Sequence, residues 1–234
     1  MKSSPGARSW IAAGVRHEVL TRALPALRHD MVAPVSVVRM ALLMLKRQVA
    51  SPQIDAALCA ERVELVDSQI AALVAGIRSL RDWELATTDE GITRSALVAQ
   101  CVSLMRAAFD LQGISLEVDP ALEPGDGEAH WPEAAALRYL LLGALGHLHD
   151  TVDGLGAISI APDGPQGLRL TAVSQTEGGR EHDAVNAHRA PRALAIDAIA
   201  IQSLADDLGY AIERAGDALR LDFGAASADA AAFG

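Results

Sequence analysis

Two adjacent residues early in the chain, His29 and Asp30, carry side chains suited to nucleophilic chemistry. A neutral imidazole is a nucleophile near pH 7, and a neighbouring carboxylate can hold its second ring N–H or take up its proton. Five positions after the histidine, Pro34 interrupts an apolar helical pattern. A proline inside a helix costs about 3 kcal/mol, because it removes one backbone hydrogen bond and crowds the preceding turn. We therefore expect Pro34 to have a compensating role.

Consecutive residues on a helix do not face each other, so Asp30 needs altered local geometry if it is to serve His29. Pro34 can supply part of it, since its ring frees the backbone carbonyl of Asp30 one turn earlier and favours a bend there. The competing interpretation is structural. A lone histidine on a helix is usually inert, and a proline often marks the break between two shorter helices. The trio alone leaves both interpretations open.

A second motif imitates the first. His17 and Glu18 are followed by Thr21, but Arg22 stands where the first motif has its proline. A helix that contains His17 must also pass two prolines before any hairpin turn. We therefore favour His29 over His17 as the reactive histidine.

The composition narrows the class of partner. Of 234 residues, 50% are hydrophobic and only 3% aromatic, so helices rich in alanine and leucine should supply most of the core. The formal net charge is -10, and there is no block of consecutive Lys or Arg. Such a chain lacks the cluster of positive charges with which proteins bind nucleic acid or an anionic membrane. A protein partner is expected.

The sequence also indicates a compartment. No run approaches 18 uncharged apolar residues, and the N-terminal stretch lacks a signal-peptide core. Cys59 and Cys101 both fall in apolar periodic segments, so neither a disulfide framework nor a cysteine metal site is indicated. We expect a cytoplasmic protein with reduced thiols.

The elements that must position His29 are helical. Residues 9–27 are predicted to be an irregular helix interrupted by Pro25, and residues 29–48 a separate apolar helix. A further helix from Ile54 to about Trp83 carries apolar residues at spacings of 3 and 4, typical of a bundle seam: Val63, Val66, Ile70, Leu73, Ile77 and Leu80. A lone hairpin cannot bury both of its apolar sides. It should therefore pair with a second copy as a four-helix bundle.

A polar stretch at residues 84–94 is predicted to be a linker, which divides the chain into a hairpin domain, 1–86, and a second domain, 87–234. Helical and strand-like segments alternate in the second domain, and Gly209 is placed to end its last helix. The tail after residue 224 is low in complexity. The predicted fold class is α+β.

This order, a hairpin carrying His-Asp-x-x-x-Pro and then an α/β sandwich, resembles the dimerisation and ATP-binding modules of sensor histidine kinases over roughly residues 20–224. The resemblance implies that His29 is the phospho-accepting histidine, Asp30 its adjacent acid and Pro34 the proline that kinks the bundle. Ala33 stands where many bifunctional members have Thr or Asn to position a hydrolytic water. Its presence argues against phosphatase activity.

The second domain departs from that family at three patches. Gly143 and His147 stand where the magnesium-binding helix should carry asparagines, and neither is a hard oxygen ligand. The Asp-x-Gly-x-Gly turn is reduced to Gln175, Thr176, Glu177, Gly178 and Gly179. APRALAIDAIA, residues 190–200, replaces a glycine-rich phosphate turn, and its β carbons obstruct a phosphate. His147 and His149 point to different faces at this spacing, so we expect one to be exposed.

A phosphorylatable hairpin beside a degenerate ATP site is similar to histidine phosphotransferases. The resemblance implies a homodimer that binds no cofactor itself and carries phosphate on His29 between response-regulator receiver domains, one of which can belong to a hybrid histidine kinase. Mg²⁺ is then supplied at the receiver. Docking is expected along the hairpin through Arg28, Val35, Val38, Met40 and Leu43. Two alternatives stay open: a divergent kinase that autophosphorylates from ATP, and a non-catalytic adaptor.

Overall fold

The computed structural model describes residues 5–85, 91–174 and 194–225. Its contacts divide the chain into two compact units. One is Ala23–Thr87, and the other combines Met1–Arg22 with Thr88–Gly234. The first contains a helical hairpin and the second combines helices with a five-stranded sheet. The fold class is α+β, as the sequence predicts.

The first helix, α1, runs without a break from Pro5 to Val49 and contains both Pro25 and Pro34. The expectation of two separate helices, 9–27 and 29–48, is therefore wrong. Each proline removes only one backbone donor, and the helix has buried residues on both sides of each proline. These include Ala12, Val15 and Val19 in the first part and Leu27 and Ala41 in the second. Their burial offsets the local cost of the prolines.

The second helix, α2, spans Ala56–Ser79 and continues into a 3-10 turn, Leu80–Trp83. Its start is fixed by Asp55, whose Oδ1 accepts hydrogen bonds from the backbone N–H of Ala57 (3.0 Å) and of Leu58 (3.1 Å). No residue of α2 is buried, and the predicted seam residues Val63, Ile70 and Ile77 are each about half exposed. One copy of the hairpin thus leaves its apolar seam uncovered.

The second unit contains three further helices and two sheets. The helices are α3 (Arg94–Asp110), α4 (Ala134–Thr151) and α5 (Ala198–Leu208). The main sheet consists of strands β2 (Ser115–Val118), β4 (Leu155–Pro162), β5 (Gly167–Ser174), β6 (Tyr210–Ala215) and β7 (Ala218–Ala225). Their order across the sheet is β2-β4-β5-β7-β6. Strand β2 is parallel to β4, and the other pairs are antiparallel.

Two elements inside and after the predicted linker were not expected. Ile92–Thr93 (β1) pairs antiparallel with His130–Trp131 (β3), and α3 begins at Arg94, so the last residues of the predicted linker are structured. The predicted end of α5 is confirmed, because Gly209 follows it with a φ of 77°.

Helix α4 is the centre of the second core. Every residue from Ala134 to His149 is buried. The sheet contributes inward-facing Leu and Ile side chains at alternate positions: Ile158, Ile160, Leu168, Leu170, Leu219 and Leu221. Each such side chain stabilises the fold by about 1.5–3 kcal/mol relative to an exposed one. Residues Ala134–His149 of α4 therefore lie inside the core of the second unit.

Among the residues that the structure describes, no helix combines the length and apolar character needed to cross a membrane.

Candidate functional site

His29 and Asp30 lie on α1 within the hairpin unit, and both side chains are directed to solvent. The His29 side chain is 81% exposed and that of Asp30 67%. The His29 Nδ1 and Asp30 Oδ1 atoms are 3.5 Å apart, at the outer limit of a hydrogen bond. With Nδ1 directed at the carboxylate, Nε2 is the ring nitrogen free to attack. At this exposure, Nε2 is accessible to an electrophile from solvent or from a partner surface.

Pro34 is buried, unlike the exposed Pro25. Because a proline has no backbone N–H, the Asp30 carbonyl has no partner one turn later, although α1 continues through this point. Two residues after His29, Met31 packs against α2, with its Cγ 3.7 Å from where a β carbon on Gly76 would lie. The helix is therefore held from its inner side while His29 points outward.

The residues predicted to bind a partner do not all share one face of α1. Met40 and Leu43 follow His29 by 11 and 14 positions, a spacing that returns to the same helix face. Both are exposed, by 55% and 46%. Arg28 and Val35 are exposed on the flank of that face, while Val38 is half-buried on the side of the other inward residues.

The sequence reasoning missed Val32 and Ser36 on the His29 face. They follow His29 by three and seven positions, which is the signal that identifies them. Val32 is 54% exposed, and the Ser36 hydroxyl donates to its carbonyl at 3.2 Å. The surface beside His29 thus consists of Val32, Ser36, Met40 and Leu43.

The imitating motif at His17 has a structural role. Arg22 Nε donates to Glu18 at 2.9 Å, and the Thr21 hydroxyl donates to the His17 carbonyl at 2.8 Å. Arg22 also forms two hydrogen bonds with the carboxylate of Asp150 at the end of α4, from Nη1 at 3.2 Å and from Nη2 at 2.7 Å. The residue that takes the place of a proline here anchors the first part of α1 to α4.

The face of α4 that the family resemblance assigns to nucleotide is filled by protein. A β carbon at Gly143 would lie 2.7 Å from Leu204 Cδ2 and 3.2 Å from Ile201 Cδ1, both on α5. His147 is buried, and its Nδ1–H donates to the Ile196 carbonyl at 2.7 Å. Such a donor cannot act as a metal ligand through the same nitrogen.

The expectation that His147 or His149 is exposed is wrong, because both are buried. They do point to different partners. His149 contacts Asp150 Oδ1 through Nδ1 (3.0 Å) and Gln112 through Nε2. Helix α4 is covered on more than one side, so two histidines that face apart are both enclosed. The described residues contain no group of three His, Cys, Asp or Glu side chains placed to hold a metal.

The carboxylate of Asp150 accepts four hydrogen bonds, two from Arg22, one from His149 and one from a backbone N–H. Besides Arg22 and His149, the backbone N–H of Ile196 donates to its Oδ2 at 2.9 Å. Burial by itself raises the pKa of this carboxyl, but the hydrogen bonds from His149, Arg22 and Ile196 and the charge of Arg22 outweigh it. The pKa of Asp150 therefore lies well below its ordinary value, and the group is a buried carboxylate at neutral pH.

The N-terminus of α5 is already occupied by an acidic side chain. Asp197 accepts hydrogen bonds from the backbone N–H of Ile199 (2.9 Å) and of Ala200 (2.8 Å). These are the donors with which a helix N-terminus would bind a phosphate, and a carboxylate there repels one. Gln175, Thr176, Glu177, Gly178 and Gly179 lie outside the described residues, as do residues 190–193.

The two cysteines differ in environment, and Cys101 lacks the features of a nucleophile. Cys101 is buried, and burial raises the pKa of its thiol to about 12. Cys59 is partly exposed on α2. His29 is therefore the nucleophilic candidate that the described residues best support.

Two solved structures are similar to this chain over most of its length. One is the Acinetobacter baumannii histidine kinase AdeS, at 14% identity and a TM-score of 0.37, with 84% of this chain and 98% of that chain covered. The other is histidine kinase ThkA in complex with response regulator protein TrrA, at 12% identity and a TM-score of 0.32, with 94% and 66% covered. No family model matches the chain, and no curated protein does.

Proposed function

We propose that the chain is a histidine phosphotransferase, which accepts a phosphoryl group on His29 from one receiver domain and passes it to another. One observation carries the proposal. A histidine that is 81% exposed beside a carboxylate is present in the same chain as an α4 face that α5 fills at Gly143. The phosphate acceptor is retained, while the source of phosphate within the chain is lost.

The transfer needs little from this chain beyond His29 and Asp30. His29 Nε2 attacks the phosphorus of a phosphoaspartate in line, so that an N–P bond forms and the P–O bond to the aspartate breaks. The electron pair of that bond returns to the receiver's carboxylate, and a Mg²⁺ ion bound by the receiver would neutralise charge there. Asp30 holds the Nδ1–H and stabilises the positive charge that develops on the ring. The reverse sequence at a second receiver completes the relay.

Three physical features argue against ATP as the source of the phosphate. Gly143 has no side-chain amide oxygen for a magnesium ion, and a β carbon there would lie 2.7 Å from Leu204 Cδ2. His147 donates its Nδ1 proton to a backbone carbonyl. Asp197 caps α5 where a phosphate would have to bind. Restoring nucleotide binding therefore requires more than one substitution.

The proposal includes a homodimer. The α2 seam of Val63, Ile70 and Ile77 is about half exposed, although its spacing is that of a packed bundle. A second hairpin can cover this seam and form a four-helix bundle with His29 on its outer surface. A receiver would then dock on the surface of Val32, Ser36, Met40 and Leu43, with Arg28 and Val35 at its margin.

The test compares three forms of the full chain: wild type, His29→Gln and His17→Gln. Each is incubated with a radiolabelled phosphorylated receiver and Mg²⁺, and label on the chain is measured for acid lability and base stability. We expect label on wild type and His17→Gln, and none on His29→Gln. A parallel incubation with labelled Mg-ATP alone should give no label.

The outcomes separate the three functions. Label from Mg-ATP that disappears in His29→Gln would make the chain a divergent kinase. No label from any of a panel of receivers, with a stable complex that survives His29→Gln, would make it a non-catalytic adaptor.

A further inference from the structure

Gly146 on α4 lies beneath two residues that are distant in sequence. A β carbon at Gly146 would be 2.9 Å from Ile196 Cδ1 and 3.1 Å from Arg22 Nη1. The space above this glycine is therefore occupied by the guanidinium of α1 and by the segment that leads into α5. A β carbon here would force the Ile196 side chain to shift and would crowd the Arg22 guanidinium, so the glycine lets both lie close to α4.

Leu194–Ile196 is held in this position by a dense set of polar contacts. Arg22 Nη2 donates to the Leu194 carbonyl at 3.2 Å, and the Ile196 N–H donates to Asp150. The Ile196 carbonyl accepts the proton of His147 Nδ1. The Arg22–Asp150 pair is thus the common anchor of α1, of α4 and of this segment.

The environment of this pair differs from that of the two ion pairs that join α1 to α5. The Arg22 and Asp150 side chains are 16% and 1% exposed. Arg16 pairs with Asp207 and Arg8 with Asp206, but at more exposed positions, and the Arg8 contact is 3.9 Å long. Exposed pairs contribute little to stability, whereas removing one partner of a buried pair leaves an uncompensated charge.

We propose that Arg22 is an internal plug: clamped by Asp150, it closes the Gly146 face of α4 and holds Leu194–Ile196 over it, so that no external ligand can enter. The plug acts by shape and charge together. A planar guanidinium matches the two carboxylate oxygens and fills the space over a glycine that has no side chain. This role does not depend on phosphotransfer through His29.

Arg22→Ala opens a guanidinium-shaped cavity that reaches solvent, because the arginine itself is partly exposed. Methylguanidinium at millimolar concentration is the probe, with methylammonium at equal concentration as the control for ionic strength. We expect the variant to melt at a lower temperature and to regain stability with saturable dependence on methylguanidinium. Wild type and Arg16→Ala should show no such recovery, because the first keeps its plug and the second exposes no buried carboxylate.

Hydrogen exchange gives an independent measure. Arg22→Lys keeps the positive charge but loses the planar guanidinium that forms two hydrogen bonds with Asp150. We expect the backbone amides of Leu194–Leu208 to exchange about tenfold faster in this variant than in Arg16→Lys. This arm decides the question if Arg22→Ala does not fold. Equal exchange in the two lysine variants, or a folded Arg22→Ala that methylguanidinium does not stabilise, would overturn the plug. Neither the melting temperature nor the hydrogen-exchange rate depends on phosphorylation of His29. A negative result for the Arg22 plug would therefore not count against the proposed phosphotransfer.

Discussion

Gly143 on α4 and Leu204 on α5 are closer than any side chain at position 143 would allow. A β carbon there would lie 2.7 Å from Leu204 Cδ2, a distance that real β carbons do not adopt. Leu204 is fully buried, so it has little room to move aside. The glycine thus lets α4 and α5 pack closely, and an asparagine there requires the Leu204 side chain or α5 to shift.

Gly143→Asn should consequently destabilise the protein without restoring nucleotide binding. Overpacking costs about 1–3 kcal/mol, and a buried amide without partners adds to it. Urea denaturation measures the loss. Gly14→Asn is the matched control, because Gly14 is also helical but a β carbon there would have nothing within 4 Å. A Gly143→Asn protein as stable as Gly14→Asn would show that α5 yields easily.

Local patterns predicted most of the elements, and contacts between residues distant in sequence explain what they missed. The spacing of apolar residues by 3 and 4 positions in α2 and the end of α5 at Gly209 each depend on residues that are close in sequence. The contact between Arg22 and Asp150 joins residues 128 positions apart, so no local pattern contains it. The same applies to the passage of α1 through two prolines, which depends on tertiary burial. Periodicity likewise could not show that α4 is enclosed around both of its histidines.

The candidate site was also predictable only in part, because some of its features are local in sequence and others depend on which faces of α1 are buried. The adjacency of His29 and Asp30 is a fact of sequence, and their exposure agrees with a reactive surface histidine. The spacing rule that places Val32 and Ser36 beside His29 was available, but a choice based on apolar character alone selected Val38. That residue faces inward because the inner face of α1 is apolar as well.

Asp150 gives the protein a pH dependence of known sign. Its folded-state pKa is depressed, so its contribution to stability is fully present above the unfolded pKa of about 3.9 and is lost as the pH falls through the folded value. At pH 7 we expect Asp150→Asn to lower the free energy of unfolding by about 3 kcal/mol. The difference between wild type and variant should shrink below about pH 4. Urea titrations across that range measure it, and a constant difference would contradict the ionised pair.

Asp30→Asn should slow phosphoryl transfer to His29 while leaving stability unchanged. In the proposed mechanism the carboxylate holds the Nδ1–H and stabilises the charged ring, and general acid–base groups of this kind contribute about 100-fold or more. Its 67% exposure means that little folding energy depends on it. Rapid-quench measurement of the initial rate is the readout. Asp67→Asn, an exposed aspartate on α2, is the charge-matched control and should transfer at the wild-type rate.

The proposed dimer predicts that a charge in the α2 seam produces a monomer. Ile70→Lys places an ammonium among apolar side chains that a second hairpin would bury, and an unpaired buried charge is costly. Ser68→Lys, on the opposite side of α2, should leave the mass unchanged. Sedimentation equilibrium at several concentrations distinguishes the two. A dimeric mass for wild type and both variants would place the interface elsewhere, and a monomeric wild type would contradict the dimer.

Pro34 and Pro25 provide a test of whether a helix-interior proline serves the proposed phosphate acceptor, His29. Replacing either by alanine restores a backbone hydrogen bond, which is worth about 3 kcal/mol in a helix interior. Pro34 is buried and loses contacts worth about 0.8 kcal/mol per CH₂, so its net gain should be smaller than that of the exposed Pro25.

Only Pro34→Ala should affect phosphoryl transfer, because the restored hydrogen bond engages the carbonyl of Asp30 and fixes that residue in regular helical geometry. We expect Pro34→Ala to be more stable and slower than wild type, and Pro25→Ala to be more stable with an unchanged rate. Urea denaturation and rapid-quench transfer, measured on the same preparations, give both quantities. If Pro34→Ala transfers as fast as Pro25→Ala, the proline beside His29 has no catalytic purpose, and the cost it imposes on α1 must be offset by packing alone.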